Sequence, residues 1–104
     1  MNPGQLNRRL TFNRNEEVSD GAGGFEKSLV PIKTVWANVR SARAREFYQA
    51  AQSQVEITHV VTIRYDASIN RTQVITFDGK QFEIQFVMEK EPKRFLELHV
   101  VERT

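Results

Sequence analysis

VEITHVVTIRY, residues 55–65, is the longest strand-like run in the chain. Val55, Ile57, His59, Val61, Ile63 and Tyr65 alternate along it with Glu56, Thr58, Val60, Thr62 and Arg64. Successive side chains of a strand point to opposite faces, so this period of two predicts a strand with one face on a core. β-Branched residues dominate the run, and they suit a pleated surface. At about 3.3 Å per residue it would span roughly 35 Å, so other strands must pair along it.

Downstream, Asp66 to Asn70 reads as a turn and Arg71 to Phe77 as a strand, with Val74 and Thr76 opposite Ile75 and Phe77. Asp78-Gly79 is a two-residue hairpin signal, because the preferred turn takes positive φ at both central positions. Lys80 to Met88 returns with Phe82, Ile84, Phe86 and Met88 on one predicted face. Glu89 to Lys93, with Pro92, turns the chain again. Phe95 to Glu102 closes it, Leu96, Leu98 and Val100 alternating with Phe95, Glu97 and His99.

Upstream, Ser41 to Gln54 breaks the alternation. Ala44, Phe47, Tyr48 and Ala51 share one face of a helix, and Ser41 is placed to cap it. A helix this short needs the sheet or a partner to order it. Thr34 to Arg40 reads as a strand, with Val35, Ala37 and Val39 on one face and Trp36 and Asn38 on the other. A lone Trp between valines more often anchors a core or sheet face than it binds a ligand. Phe25 to Val30 reads as a short strand ended or kinked by Pro31. Asn15 to Phe25, with Gly21, Gly23 and Gly24, reads as a long polar hairpin loop. The residues after it are strand-like rather than helical, which argues against a phosphate cradle. Arg8 to Arg14 is a first strand, after a loose start at Met1 to Gly4. The chain is therefore expected to be mainly β: a small antiparallel β-barrel or sandwich of about six strands, with one short helix in a long inserted loop, and a single domain over residues 1–104.

Composition removes several functions. There is no cysteine, so disulfides, thiolate metal sites and cysteine nucleophiles are excluded. That absence fits synthesis in a reducing cytoplasm. A net charge of +2 is too small to argue for nucleic acid or membrane by itself. No apolar run is long enough for a membrane-spanning helix, and MNPGQLNRRL lacks the apolar centre of a secretory signal. His59 and His99 both sit in predicted strands with no carboxylate at metal-ligand spacing. Asp20, Asp66 and Asp78 fall in turns, where Asp bonds its own backbone. Neither a catalytic set nor a cofactor motif is present, and no enzyme is expected. Arg40, Arg43 and Arg45 beside Phe47 and Tyr48 offer a basic-aromatic group that a single strand of nucleic acid would suit. Glu46 interrupts it, and 13 acidic residues balance the chain.

The order of features carries more than any one of them. Gly4-Gln5-Leu6 and Arg9-Leu10-Thr11-Phe12 come first, then Gly23-Gly24 and Val35-Trp36-Ala37. The stretch from Glu46 to Gln52 is next, then Thr62-Ile63-Arg64-Tyr65, the hairpin from Phe77 to Ile84, Leu96-Glu97-Leu98 and Glu102. This ordered set resembles the head–tail joining proteins of long-tailed bacteriophages, also called head closure, stopper or head–tail adaptor proteins. The chain departs from many of these at Ser41 to Arg45, which lacks their glycine before the insert's glutamate. The resemblance implies a small β-barrel in the neck of the virion, made in the bacterial host cytoplasm. It further implies a ring that closes the DNA-filled head below the portal and adaptor and docks the tail. Implied partners are further copies of the chain, portal or adaptor proteins, tail terminator or tube proteins, and DNA passing through the lumen without sequence-specific binding. Subunit and partner contacts are expected at Arg43, Arg45, Glu46, Phe47, Tyr48 and Gln49 in the insert, and at Gly23, Gly24 and Phe25 in the loop. Alternatives are a barrel that binds single-stranded nucleic acid, and a tail terminator or tube protein of related fold.

Overall fold

The computed structural model describes residues 3–42 and 57–103. The strands are β1 (Arg8–Ser19), β2 (Phe25–Ser41), β3 (His59–Arg64), β4 (Val74–Phe77), β5 (Lys80–Lys90) and β6 (Phe95–Arg103). All pairings are antiparallel, and the order β1-β2-β3-β6-β5-β4 closes on itself as a barrel. Closure leaves no open edge within the barrel wall. Its seam is short: Thr11, Phe12 and Asn13 of β1 pair with Thr76, Ile75 and Val74 of β4. Two short helical pieces lie outside the wall, a 3-10 turn at Pro3–Gln5 and a kinked turn at Glu91–Arg94. The expected insert helix lies outside the described residues beyond Ala42, and Ser41 itself is the last residue of β2.

The interior is built by the alternation read in the sequence. Leu10, Phe12, Ala37, Val61, Ile63, Ile75, Phe82, Ile84, Leu96, Leu98 and Val100 form one cluster, with Ile69 entering from the β3–β4 connection. The strand that decides the fold is shorter than expected, because Ile57 and Thr58 precede β3 and Val55 and Glu56 lie outside the described residues. It is also buried on both faces: Val60 and Thr62 are shielded from solvent, as are Val61 and Ile63. Asp78 and Gly79 both take positive φ in the β4–β5 turn, as the dipeptide requires.

Two bulges alter the faces. Between Ile84 and Phe86 the register with β6 slips, so that Ile84 faces Val100 and Phe86 faces His99. One extra residue inverts every side chain after it. Phe86 and Met88 are therefore exposed on the outside, and Val87 packs against the core in their place. The second bulge falls between Phe12 and Asn13, opposite Lys33 and Pro31. It lets β2 run through Pro31 as one strand, where a break was expected. A bulge, in a part of β2 that pairs with β1 alone, tolerates the missing N–H.

Beyond this second bulge β1 and β2 leave the barrel together. Asn13 to Ser19 pairs with Phe25 to Pro31 in a two-stranded arm, and only the Asp20–Gly24 tip is a loop. The expected Asn15–Phe25 loop is thus mostly strand. Asn13 sits buried at the arm's root, its amide donating to the carbonyl oxygens of Thr11 and Val74 and to Thr76 Oγ1 at 3.0–3.2 Å. Among the described residues no buried side-chain polar atom lacks a partner. Asn13→Leu strips these bonds from the seam and is expected to lower stability by about 1–3 kcal/mol in urea unfolding. An unchanged midpoint would show that the seam does not depend on them.

A second tie fixes the connection that delivers Ile69. Lys33 Nζ lies 2.5 Å from Asp66 Oδ2, and Asp66 Oδ1 accepts from the Ser68 backbone and hydroxyl. The Lys33 hydrogen bond, then those from Ser68, lower the Asp66 pKa from 3.8 to about 2. The folded carboxylate is therefore harder to protonate than the unfolded one. Its contribution is fully present above pH ~4 and is lost as pH falls toward 2. With solvent screening this partly exposed pair is worth about 1 kcal/mol. Lys33→Met should flatten the stability profile between pH 4 and 2; an unaltered acid limb would refute the assignment.

Candidate assembly surfaces

Three surfaces leave the barrel. The first is the tip of the arm, where Asp20 organises the turn: its Oδ1 accepts the backbone N–H of Ala22 and of Gly24, and its own N–H donates to the Gly24 carbonyl. Gly23 has φ +88°, which L side chains rarely adopt. A Cβ on Gly24 would lie 2.8 Å from the Asp20 carboxylate. The glycines thus build a shaped turn. It presents Phe25, 71% exposed, and Val18, 50% exposed. Glu17 pairs across the ribbon with Lys27, and beyond that rung the tip carries Asp20 and Glu26 and no cation.

The second surface is a band across the outer wall. Arg9 faces Trp36, and its guanidinium lies 5.3 Å from the Trp36 ring. Ala37 pairs with Ile63, so the next step outward sets Trp36 beside Arg64; Arg64 pairs with Phe95, and Phe95 with Lys90. In register order the residues are Arg9, Trp36, Arg64, Phe95 and Lys90; Phe95 is buried, so the exposed members are Arg9, Trp36, Arg64 and Lys90. Trp36 is 53% exposed. It is on a sheet face, as expected of a lone Trp, but the face is the wet one. Beside Arg64 an open recess of about 340 Å³ is lined by Tyr65, Lys93, Arg94 and Phe95. The local carboxylates are engaged, Glu89 by the Lys93 backbone N–H and Glu91 by Arg94. This band is invisible in the sequence, since it joins residues from five strands through register alone.

The third surface is the root of the insert. Ser41 pairs with His59, and the Ala42 N–H donates to the Thr58 carbonyl. Thr58 is in turn locked to β6: its N–H donates to Val100, and its hydroxyl accepts from the Glu102 N–H. The chain thus leaves and re-enters the barrel at neighbouring points. Arg43, Arg45, Glu46, Phe47, Tyr48 and Gln49 lie outside the described residues. Gly23, Gly24 and Phe25 are brought together at the arm tip, as strand and turn rather than open loop.

The histidines are not joined. His59 bonds Thr58 and packs edge-on to Phe82, whereas His99 bonds Glu97 at 3.0 Å and stands edge-on to Phe86. Among the described residues no group of three His, Cys, Asp or Glu could hold a metal ion.

A barrel with a projecting arm and an externally rooted insert is a shape for assembly, and similarity to known proteins points the same way. The profile of the phage head completion proteins matches residues 1–103. The chain belongs to that family. As a head completion protein it is a structural component of the phage particle. Protein SF1141 from Shigella flexneri 2a, solved in solution, shares its fold: the TM-score is 0.78 at 24% identity, over 98% of this chain and 96% of that one. A chain from the virion of a native gene transfer agent particle is similar at 25% identity with a TM-score of 0.61, over 93% and 94%. No curated protein matches. The closed barrel is what the resemblance in the sequence implied, and its six antiparallel strands agree with the count read from alternation and turns.

Proposed function

We propose that this head completion protein forms a ring in the phage neck, closes the DNA-filled head below the portal and adaptor, and docks the tail. The family match over residues 1–103 carries the reading. The role is structural and without catalysis. DNA passes through the lumen and is not read by sequence. A closed barrel supplies a rigid wedge, and a ring needs heterologous contacts that close by rotation. The arm tip at Gly23, Gly24 and Phe25 makes such contacts, and so does the insert through Arg43, Arg45, Glu46, Phe47, Tyr48 and Gln49. Copies remain monomeric until the portal and adaptor template the ring.

Electron microscopy of the chain mixed with its portal and adaptor tests this. A ring of density below the adaptor, absent when the chain is withheld, is the expected result. A chain that never joins the connector, and is missing from the necks of tailed particles, overturns the reading.

A further inference from the structure

The acidic tip and the cationic band lie at the two ends of the same strand. Phe25 opens β2 and Trp36 lies near its end. Eleven residues of extended chain separate them, about 36 Å. A strand paired along this length cannot bring its own ends together, and the whole molecule is 49 Å in its longest dimension. The two patches are complementary in charge and in kind. One offers Asp20 at its turn, with exposed Phe25 and Glu17 on one face of the ribbon and exposed Val18 and Glu26 on the other. The other offers Arg9, Arg64, Lys93 and Arg94 around Trp36, Tyr65 and the recess beside Arg64. Neither Arg64 nor Lys93 has a carboxylate partner among the described residues.

We propose that the arm tip of one copy docks on the Arg9–Trp36–Arg64 band of the next, with Phe25 seated against the Trp36 and Tyr65 side of the recess and the tip carboxylates facing the guanidinium groups. This rests on the ring reading above and names the contact that builds the ring. Two different patches of one chain meet head to tail, so each copy both gives and receives an arm, the geometry that generates closed rings. An exposed aromatic anchor inside a charged rim is the usual composition of a protein interface. Opposite charges also steer the arm to the band and penalise two tips or two bands meeting.

Charge exchange tests the pairing. Glu17→Lys with Glu26→Lys should cut ring assembly on the portal–adaptor complex at least tenfold, and so should Arg9→Glu with Arg64→Glu. A mixture of the two variants should form alternating copies and recover part of the loss, and all four changes in one chain should recover more. Circular dichroism and thermal unfolding confirm that each variant folds; any that does not is replaced by Phe25→Ser or Trp36→Ser in the same assay. The absence of native cysteine permits a second measurement. Ala22→Cys with Thr34→Cys in one chain should give a ladder of dimers, trimers and longer species with a bis-maleimide on assembled rings, whereas each single substitution should stop at dimers.

Rings that form at the wild-type level in every charge variant, with no ladder, overturn the arm–band contact and leave the ring reading intact. The same holds for rings that persist while Arg9→Glu with Arg64→Glu abolishes binding of a labelled oligothymidylate, because the band then serves nucleic acid. Wild-type chains that form no ring with the connector overturn the ring reading and this contact with it.

Discussion

Replacing Asn15 to Leu29 by the dipeptide Asn-Gly is expected to leave a folded barrel that no longer joins the neck. Arg14 pairs with Val30, so a two-residue turn can close the ribbon at that point. No residue between Asn15 and Leu29 belongs to the core cluster. The arm contributes cross-strand hydrogen bonds among solvated residues, and a two-stranded ribbon of that kind adds little to global stability. The midpoint of urea unfolding should therefore move by less than ~1 kcal/mol in free energy, the size of ordinary surface changes. Particles carrying only the shortened chain should yield full heads without tails, and a complementation assay should show infectivity lost by orders of magnitude. Tailed, infectious particles at wild-type yield would show that the arm has no part in assembly.

Phe12→Ala is expected to do the reverse damage, removing the fold and, through it, the function. Phe12 is fully buried, and its strand position pairs with Lys33 of β2 on one side and Ile75 of β4 on the other. It stands in the three-residue seam that closes the barrel. Truncating a buried phenylalanine costs about 3–5 kcal/mol, from lost transfer free energy and from the cavity left behind. Small domains hold only about 5–15 kcal/mol in total, so the variant should unfold at much lower urea or fail to accumulate. A loss below ~1 kcal/mol would mean that the seam repacks and that the barrel does not depend on this closure.

The contrast between these two regions explains what is legible in the sequence. Alternation is readable only where one face is buried and the other wet. Leu10 and Phe12, and Phe82 and Ile84, satisfy that condition and mark the wall of the barrel; β6 does not, since Phe95 and His99 are buried on the face opposite Leu96, Leu98 and Val100. Asn15 to Ser19 is strand with both faces solvated, so it carries no period and looks like loop. Gln85 is the extra residue in β5, and nothing in its type announces a bulge; simple alternation therefore sets Phe86 and Met88 on the wrong face. Pro31 signals a break by its chemistry, and only the bulge opposite it and the unpaired outer side of β2 remove the conflict. At the surfaces, the glycines and Phe25 stand out as unusual residues. The Arg9–Trp36–Arg64 band does not, because its members are distant in sequence and adjacent only through register.

The clasp of Ala42 to Thr58 carries a last consequence, for how this barrel tolerates change. Because the two ends of residues 43–56 are fixed side by side, the wall is already complete without whatever the chain does between them. Closing a longer excursion across the same gap costs only about 0.6 kcal/mol for each doubling of its length. The position is therefore a socket in which segments of different size and chemistry can be exchanged while the wall stays the same. A lineage of such proteins can track a changing neighbour in the particle by editing one segment, with no need to redesign its core.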